Sequence, residues 1–262
     1  MDMGFLPKVV SAIVPTRFKG PAKRLLQQLL HSGLVKVSGG QEDALLWSCA
    51  QAKLTPYIMI QGFLQGTFPM PQVDNNKIFI WYDPDPRAVI RVADFKIRND
   101  LLRCLKKDRL QELDKRFEIK VNADFEQTII NCSKPRGKKT STWISTEYIK
   151  VMLELHKMGI AHSFETYQNG ELVGGVLGVA LNGYFITLSL FRTIDNASKV
   201  AFCYLLTKLK EDGFKLHITG DANSWFAQFG AVNVTKNDFR HELISAITAP
   251  VTFTSRVPEL VL

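Results

Sequence analysis

The sequence predicts an α/β fold in which helices pack on a sheet that contains an antiparallel hairpin. Two apolar runs with β character, residues 171–180 and 184–191, flank Asn182-Gly183, a dipeptide typical of tight hairpin turns because it tolerates positive φ. A helical pattern follows over residues 197–213, with Asp195 or Asn196 as its candidate N-cap. Helices that alternate with strands around a central hairpin are typical of an α/β sandwich.

The first third of the chain is predicted to form a separate small α/β unit. Residues 21–34 have apolar positions at helical spacing, and residues 77–82 read as a strand that ends at Asp83-Pro84-Asp85-Pro86. Residues 94–116 then show a helical period that points Leu101 and Leu105 inward. We therefore predict an N-terminal domain over residues 1–95 and a basic linking helix over residues 96–116.

The rest of the chain, residues 117–262, is predicted to be a second domain. Besides the hairpin and the helix behind it, the pattern predicts helices at 124–132, 145–158 and 239–247, a helical turn at 224–229 and strands at 162–167 and 215–219. In the strand at 184–191, strict alternation places Tyr184, Ile186, Leu188 and Leu190 on one face and Phe185, Thr187, Ser189 and Phe191 on the other.

Composition indicates a soluble protein with a polyanionic partner. The chain has 262 residues, 46% of them hydrophobic, and a net charge of +8. No apolar run reaches the roughly 18 residues that span a bilayer, and no secretory leader is recognisable, so we expect a cytoplasmic location. The charge favours nucleic acid as partner and an anionic membrane surface second, with a merely solvated basic surface as the alternative.

Cysteine and histidine usage predicts neither a metal site nor a disulfide framework. The four cysteines are scattered without a close pair, and the five histidines are dispersed along the chain.

Seven short segments in order resemble the leucyl/phenylalanyl-tRNA–protein transferases between about residue 40 and residue 245. They are GTFPM (66–70), WYDPDPRAVI (81–90), TWIS (142–145), LHKMGIAHSFE (155–165), LVGGVLGVA (172–180), DNASK (195–199) and FGA (229–231). The resemblance implies a GNAT-like acyltransferase domain preceded by a small α/β domain. It also implies transfer of an apolar amino acid of the Leu, Phe or Met type from aminoacyl-tRNA to the N-terminus of a protein or peptide. Aminoacyl-tRNA is then the co-substrate, with no other cofactor, and we expect a monomer that needs no membrane.

The sequence departs from this family where the family carries its catalytic polar groups. Its strand glutamate, in Gly-Glu-Ser-Met-Phe, corresponds to Leu188, and the aspartate and glutamine of its Asp-Cys-Gln strand correspond to Ile218 and Gly220. Leucine and glycine side chains can neither move a proton nor orient an ammonium group. The remaining candidates for a catalytic role are Glu165, Ser189 and Asp221.

Three explanations of this departure remain open. Asp221, His217 or Thr219 could fill the vacated space in a re-wired transferase. A different donor and acceptor could be used, with Glu165 or His162 as base. Alternatively, the protein binds aminoacyl-tRNA or another ligand without catalysis. Whichever explanation holds, the alternative role of Glu165 is to hold a neighbouring helix. An acyl-CoA transferase is disfavoured, because no Gly-rich pyrophosphate loop opens the helix at residue 197.

The resemblance also assigns binding residues. It implies that Trp81 and Trp143 hold the terminal adenosine, where stacking is worth about 1–3 kcal/mol per aromatic side chain. The predicted lining of the aminoacyl pocket is Phe185, Leu190, Phe202, Leu205 and Leu209, with ordinary core packing as the alternative. The predicted tRNA-binding cations are Arg98, Arg103, Lys106, Lys107, Lys138 and Lys139.

Overall fold

The computed structural model describes residues 54–72, 75–135, 137, 142–220 and 223–260. The helix predicted at residues 21–34 lies outside these residues. In the described part, no helix has the length and apolarity that crossing a bilayer requires.

The helices and strands alternate along most of the chain. The helices are α1 (Pro56–Leu64), α2 (Asn99–Arg109), α3 (Phe125–Ser133), α4 (Thr146–Lys157), α5 (Ala197–Glu211), α6 (Ser224–Ala227) and α7 (Lys236–Thr248). The strands are β1 (Phe68–Gln72), β2 (Asn75–Tyr82), β3 (Arg87–Arg91), β4 (Glu118–Val121), β5 (Ala161–Gln168), β6 (Glu171–Leu181), β7 (Tyr184–Arg192), β8 (Leu216–Ile218) and β9 (Val232–Val234). This confirms a mixed α/β architecture.

Seven of these strands form one mixed sheet in the order β4-β5-β6-β7-β8-β3-β9. All neighbours in it are antiparallel except β7 and β8, which run parallel and are connected through α5. Strands β1 and β2 form a separate two-stranded sheet. The predicted hairpin is confirmed as β6 and β7.

Strand β3 joins distant parts of the chain. It precedes residue 95, yet Val89 pairs with Ile218 of β8 on one side and with Val232 of β9 on the other. The domain boundaries at residues 95 and 116 stay predictions.

Apolar side chains cover both faces of the large sheet. On one face, here called the α4 face, one cluster is formed with α1, α3, α4 and α7. It includes Met59, Ile129, Tyr148, Ile186 and Leu243. On the other face, here called the α5 face, a second cluster is formed with α2, α5 and α6. It includes Leu101, Phe164, Phe185, Phe202 and Phe226.

The predicted helix ends are confirmed for α4 and for α5, but the predicted side-chain cap of α5 is not formed. Oγ of Ser145 accepts a hydrogen bond from the N–H of Tyr148 (3.2 Å), and Gly159 beyond the helix has φ 72°. Asn196 occupies the N-cap position of α5 but has φ 69° and makes no side-chain cap. Its left-handed backbone therefore shapes the turn into α5, and the prediction of a side-chain cap was wrong at this position.

Candidate aminoacyl-transfer site

The parallel strands β7 and β8 pair over only three residues and then part. Tyr184, Phe185 and Ile186 pair with Leu216, His217 and Ile218, whereas β7 continues to Arg192. Among the described residues, the segment of β7 after Ile186 therefore has no strand partner on the β8 side. In open sheets, ligands commonly bind beyond the carboxyl ends of parallel strands. This gap between β7 and β8 is the candidate site.

A β-bulge lies at the position where the resembled family has its glutamate. Gly178 of β6 pairs with Thr187 and the adjacent Leu177 pairs with Ser189, so Leu188 is the additional residue on β7. Leu188 packs against the cluster of the α4 face and is half-buried. Bulges re-aim the side chains of a strand and are frequent beside active sites.

The bulge reverses the alternation of side chains in the second half of β7. Phe191 belongs to the cluster of the α4 face together with Tyr184 and Ile186, whereas Leu190 packs with Phe185 on the α5 face. The predicted face assignment of residues 189–191 was therefore wrong, because strict alternation assumes no inserted residue.

The end of β8 leaves room beside the bulge. A Cβ built at Gly220 would meet no heavy atom of the described residues within 4 Å, and Gly220 is exposed. The side chain that the resembled family carries at this position would point into open space here. Asp221, a predicted catalytic candidate, lies outside the described residues, and Ser189 is half-buried on β7.

The five predicted pocket residues lie in one cluster between β7 and α5. Phe185, Phe202, Leu205 and Leu209 are at most 1% exposed, and Leu190 at the bulged end of β7 is half-buried. They lie on the same side of the gap, so the structure brings them together. Their role in binding an amino acid side chain stays a prediction.

Both predicted adenosine-binding tryptophans border the α4 face. Trp81 lies near the end of β2, and Trp143 lies just before α4, where its ring meets that of Tyr148 edge to face at 4.9 Å. Each is half-buried and packs on the same apolar cluster as Leu188. The two tryptophans and the pocket cluster thus lie on opposite faces of the sheet.

Glu165 supports the start of α3. It is fully buried on β5, and its Oε1 accepts hydrogen bonds from Oγ of Ser163 (2.5 Å) and from the N–H of Asp124, the N-cap of α3 (3.3 Å). Burial raises the pKa of this carboxyl group, while the hydrogen bond from Ser163 opposes the rise. Glu165 pairs with Gly175 of β6, and Gly175 pairs with Phe191 of β7. The backbone of Glu165 therefore lies two strand spacings, or roughly 10 Å, from the backbone of β7.

His162 is enclosed by the segment that follows α7. Its ring stacks on Phe253 at 3.8 Å, and its Nδ1 accepts a hydrogen bond from Nδ2 of Asn122 (3.1 Å), because Oδ1 of Asn122 is engaged with the N–H of Ser163. Burial lowers the pKa of His162 to about 3. A base with such a pKa binds protons too weakly to activate an amine at neutral pH.

The cations predicted to bind tRNA lie along α2. Leu101 and Leu105 of α2 are buried, whereas Arg103, Lys106 and Lys107 are exposed. Arg98, at the N-cap position, is exposed as well. Lys138 and Lys139 lie outside the described residues.

Sequence reasoning missed Thr187 as a polar residue of the gap. Its Oγ1 lies 2.8 Å from Nε2 of His217 on the neighbouring strand. Only the register of β7 against β8 brings them together, and no sequence motif signals a register. Among the described residues, no group of three or more His, Cys, Asp or Glu side chains is placed to hold a metal ion.

Three features lie together: a short parallel strand pair that ends beside a bulge, an apolar cluster behind it and a helix with exposed cations. This combination suits a ligand in which an apolar acyl group is attached to a polyanion. The chain belongs to the leucyl/phenylalanyl-tRNA protein transferase family, whose model matches residues 89–244.

Curated relatives match most of the chain. The leucyl/phenylalanyl-tRNA–protein transferase of Gloeobacter violaceus is 38% identical over 200 residues, which cover 76% of this chain and 97% of that protein. The protein of the same name from Herpetosiphon aurantiacus is 36% identical over 202 residues, 77% of this chain and 98% of its own length. Among solved structures, L-PGS from Bacillus licheniformis aligns with a TM-score of 0.43 at 13% identity, over 63% of this chain and 65% of that chain, a similarity too weak to argue from.

Proposed function

We propose that this protein transfers an amino acid of the leucyl or phenylalanyl type from aminoacyl-tRNA to the N-terminus of a protein or peptide. The observation that carries the proposal is family membership over more than half of the chain, with relatives of that name matched along nearly their whole length. Aminoacyl-tRNA and an acceptor N-terminus are then the partners. We also propose a GNAT-like domain, a preceding small α/β domain, a monomer and a cytoplasmic location.

The gap between β7 and β8 supports this function because the two tryptophans lie on one face of the sheet beside it and the apolar cluster lies on the other. In the proposed complex, the adenosine lies at Trp81 and Trp143 on the α4 face, and the amino acid side chain reaches the cluster of Phe185 and Phe202 on the α5 face. The ester to be cleaved then lies between the strands, near Leu188. The exposed cations of α2 contact tRNA phosphates, since such contacts need only a positive charge near the backbone.

The reaction joins the acceptor amine to the carbonyl carbon of the aminoacyl ester. The new C–N bond forms as the bond from that carbon to the ribose oxygen breaks, the amine loses a proton and the released ribose hydroxyl gains one. Leu188 and Gly220 have no side-chain group that can accept the proton of the amine or donate one to the ribose oxygen. Holding the amine and the ester in line therefore provides a large part of the rate, a contribution that reaches about 7–11 kcal/mol in well-oriented reactions.

The test is incubation of the full chain with radiolabelled leucyl- or phenylalanyl-tRNA and a peptide that begins with Arg or Lys. We expect label in the peptide, and none when the peptide N-terminus is acetylated. A Trp81→Ala variant should raise KM for aminoacyl-tRNA. Binding of aminoacyl-tRNA without any transfer would contradict the proposal and indicate a binding protein.

A further inference from the structure

Polar side chains line the α5 face of the gap between β7 and β8. Thr187 and His217, joined by the 2.8 Å contact, are 6% and 0% exposed. Thr219 follows two residues after His217, and its N–H donates to the carbonyl of Ala88 (3.4 Å), so the chain is still extended there. Strand alternation therefore places Thr219, which is 1% exposed, on the same face as His217.

Two atoms of this group lack a hydrogen-bond partner. Among the described residues, nothing pairs with Nδ1 of His217 or Oγ1 of Thr219, although both are buried. Buried polar atoms in folded proteins are nearly always satisfied by protein, water or ligand. These two atoms thus have unused hydrogen-bonding capacity inside the protein.

The ring of His217 is neutral at physiological pH, since burial lowers its pKa to about 3. A neutral imidazole has one donor nitrogen and one acceptor nitrogen, and the contact with Thr187 is compatible with either arrangement. A hydroxyl group both donates and accepts, so it can pair with Nδ1 in either case.

Aromatic side chains of the predicted pocket surround this polar group. The ring of His217 lies 5.8 Å from that of Phe185 and 5.4 Å from that of Phe202. The predicted pocket would therefore combine apolar side chains, which favour an aromatic ring, with a polar edge, which favours a hydroxyl.

We propose that Thr187, His217 and Thr219 form a hydrogen-bonding edge of the aminoacyl pocket, and that the protein transfers tyrosine as well as apolar amino acids. This inference rests on the proposed function and names a further substrate class for the same site. A phenyl ring with a hydroxyl matches both parts of the pocket. The apolar walls also hold a phenyl ring that lacks the hydroxyl, so phenylalanine stays a substrate beside tyrosine.

The experiment compares tyrosine and phenylalanine attached to the same tRNA body, so that contributions from the tRNA cancel. We expect wild-type protein to transfer both amino acids. In His217→Leu and in Thr219→Val, which keeps the side-chain volume, the ratio of tyrosine to phenylalanine kcat/KM should fall tenfold or more. The matched control is Thr128→Val, which also removes a buried, unpartnered hydroxyl, but on α3 at the other face of the sheet. It should leave the ratio unchanged.

The outcomes separate the two proposals. If wild-type protein transfers neither amino acid, the proposed function itself fails. Transfer of phenylalanine with tyrosine at background overturns the inference alone. The inference is also overturned if tyrosine is transferred but neither variant changes the ratio of tyrosine to phenylalanine kcat/KM, provided that thermal unfolding shows Thr219→Val to be folded.

Discussion

The indole ring of Trp81 lies directly on the backbone of Gly62. A Cβ built on Gly62 would lie 1.9 Å from Cζ3 of the ring, far inside van der Waals contact. Gly62 lies within α1, where its backbone conformation does not require glycine. The glycine is needed because the tryptophan occupies the space of a side chain, and α1 thereby sets the position of the ring.

Replacing Gly62 by alanine should destabilise the protein, although alanine normally stabilises a helix by about 1 kcal/mol over glycine. The added methyl group must displace the indole of Trp81. Chemical denaturation of the four proteins of a double-mutant cycle checks this. Gly62→Ala should lower the free energy of unfolding in the wild type but raise it in a Trp81→Ala background. The same sign in both backgrounds would contradict the packing described.

Glu165 should act by positioning α3 and not by taking the proton of the amine. Glu165→Gln retains an oxygen for the hydrogen bonds from Ser163 and Asp124, so transfer activity should stay within about threefold of the wild type. Glu165→Ala removes the acceptor and should cost on the order of 1–3 kcal/mol of stability. Steady-state kinetics and urea unfolding of both variants measure this. A hundredfold loss of kcat in Glu165→Gln, with stability retained, would instead make it the base.

Stability should decline as the pH falls below about 6.5. Burial is the main cause that lowers the pKa of His162 and His217 to about 3, and the neighbouring His156 and Lys208 side chains lower the pKa of His162 further. The unfolded chain, with ordinary histidine pKa values near 6.5, binds these protons first. Stability is therefore complete above pH 6.5 and is lost as the pH falls toward 3, by about 1.4 kcal/mol per pH unit for each histidine.

Urea unfolding between pH 7.5 and 4.5 measures this slope. His162→Phe keeps an aromatic ring against Phe253 and should make the slope shallower by about one proton, after correction for the carboxyl groups that both proteins share. The exposed His241 offers a control, because His241→Phe should leave the slope unchanged. Equal slopes in wild type and His162→Phe would contradict the prediction.

Lys106 and Lys107 should contribute to tRNA affinity through phosphate contacts. Both are exposed on α2, so their replacement by alanine should weaken binding without loss of stability. Each lost contact should reduce the slope of log K against log salt by roughly 0.7–0.9. Filter binding at several salt concentrations measures this slope. Lys115→Ala is the comparison, because Lys115 is engaged in an ion pair with Glu112 at 2.7 Å, and it should change the slope less.

Local patterns predicted the secondary structure well where turns and caps are explicit. Asn182-Gly183 correctly located the β6–β7 hairpin, and Ser145 correctly located the start of α4. These features depend on the conformations of single residues, so they are readable from the chain alone.

The geometry of the candidate site could not be predicted in the same way. The bulge at Leu188 depends on pairing with β6, and the contact of Thr187 with His217 depends on the register of β7 against β8. The place of β3 between β8 and β9 depends on strands more than a hundred residues away. Such pairings involve partners distant along the chain, and a local pattern does not contain them.

The position of β3 also determines when the large sheet can form during synthesis of the chain. The ribosome makes β3 early, but its partners β8 and β9 leave the ribosome only after α5 has been made. Until then β3 lacks its two neighbours in the large sheet and the β8 side of β7 is an open edge, the kind of surface that pairs with other chains. Contacts between residues so distant in sequence form slowly. Slower translation after β7 should therefore prolong the aggregation-prone interval, and premature termination there should leave insoluble fragments.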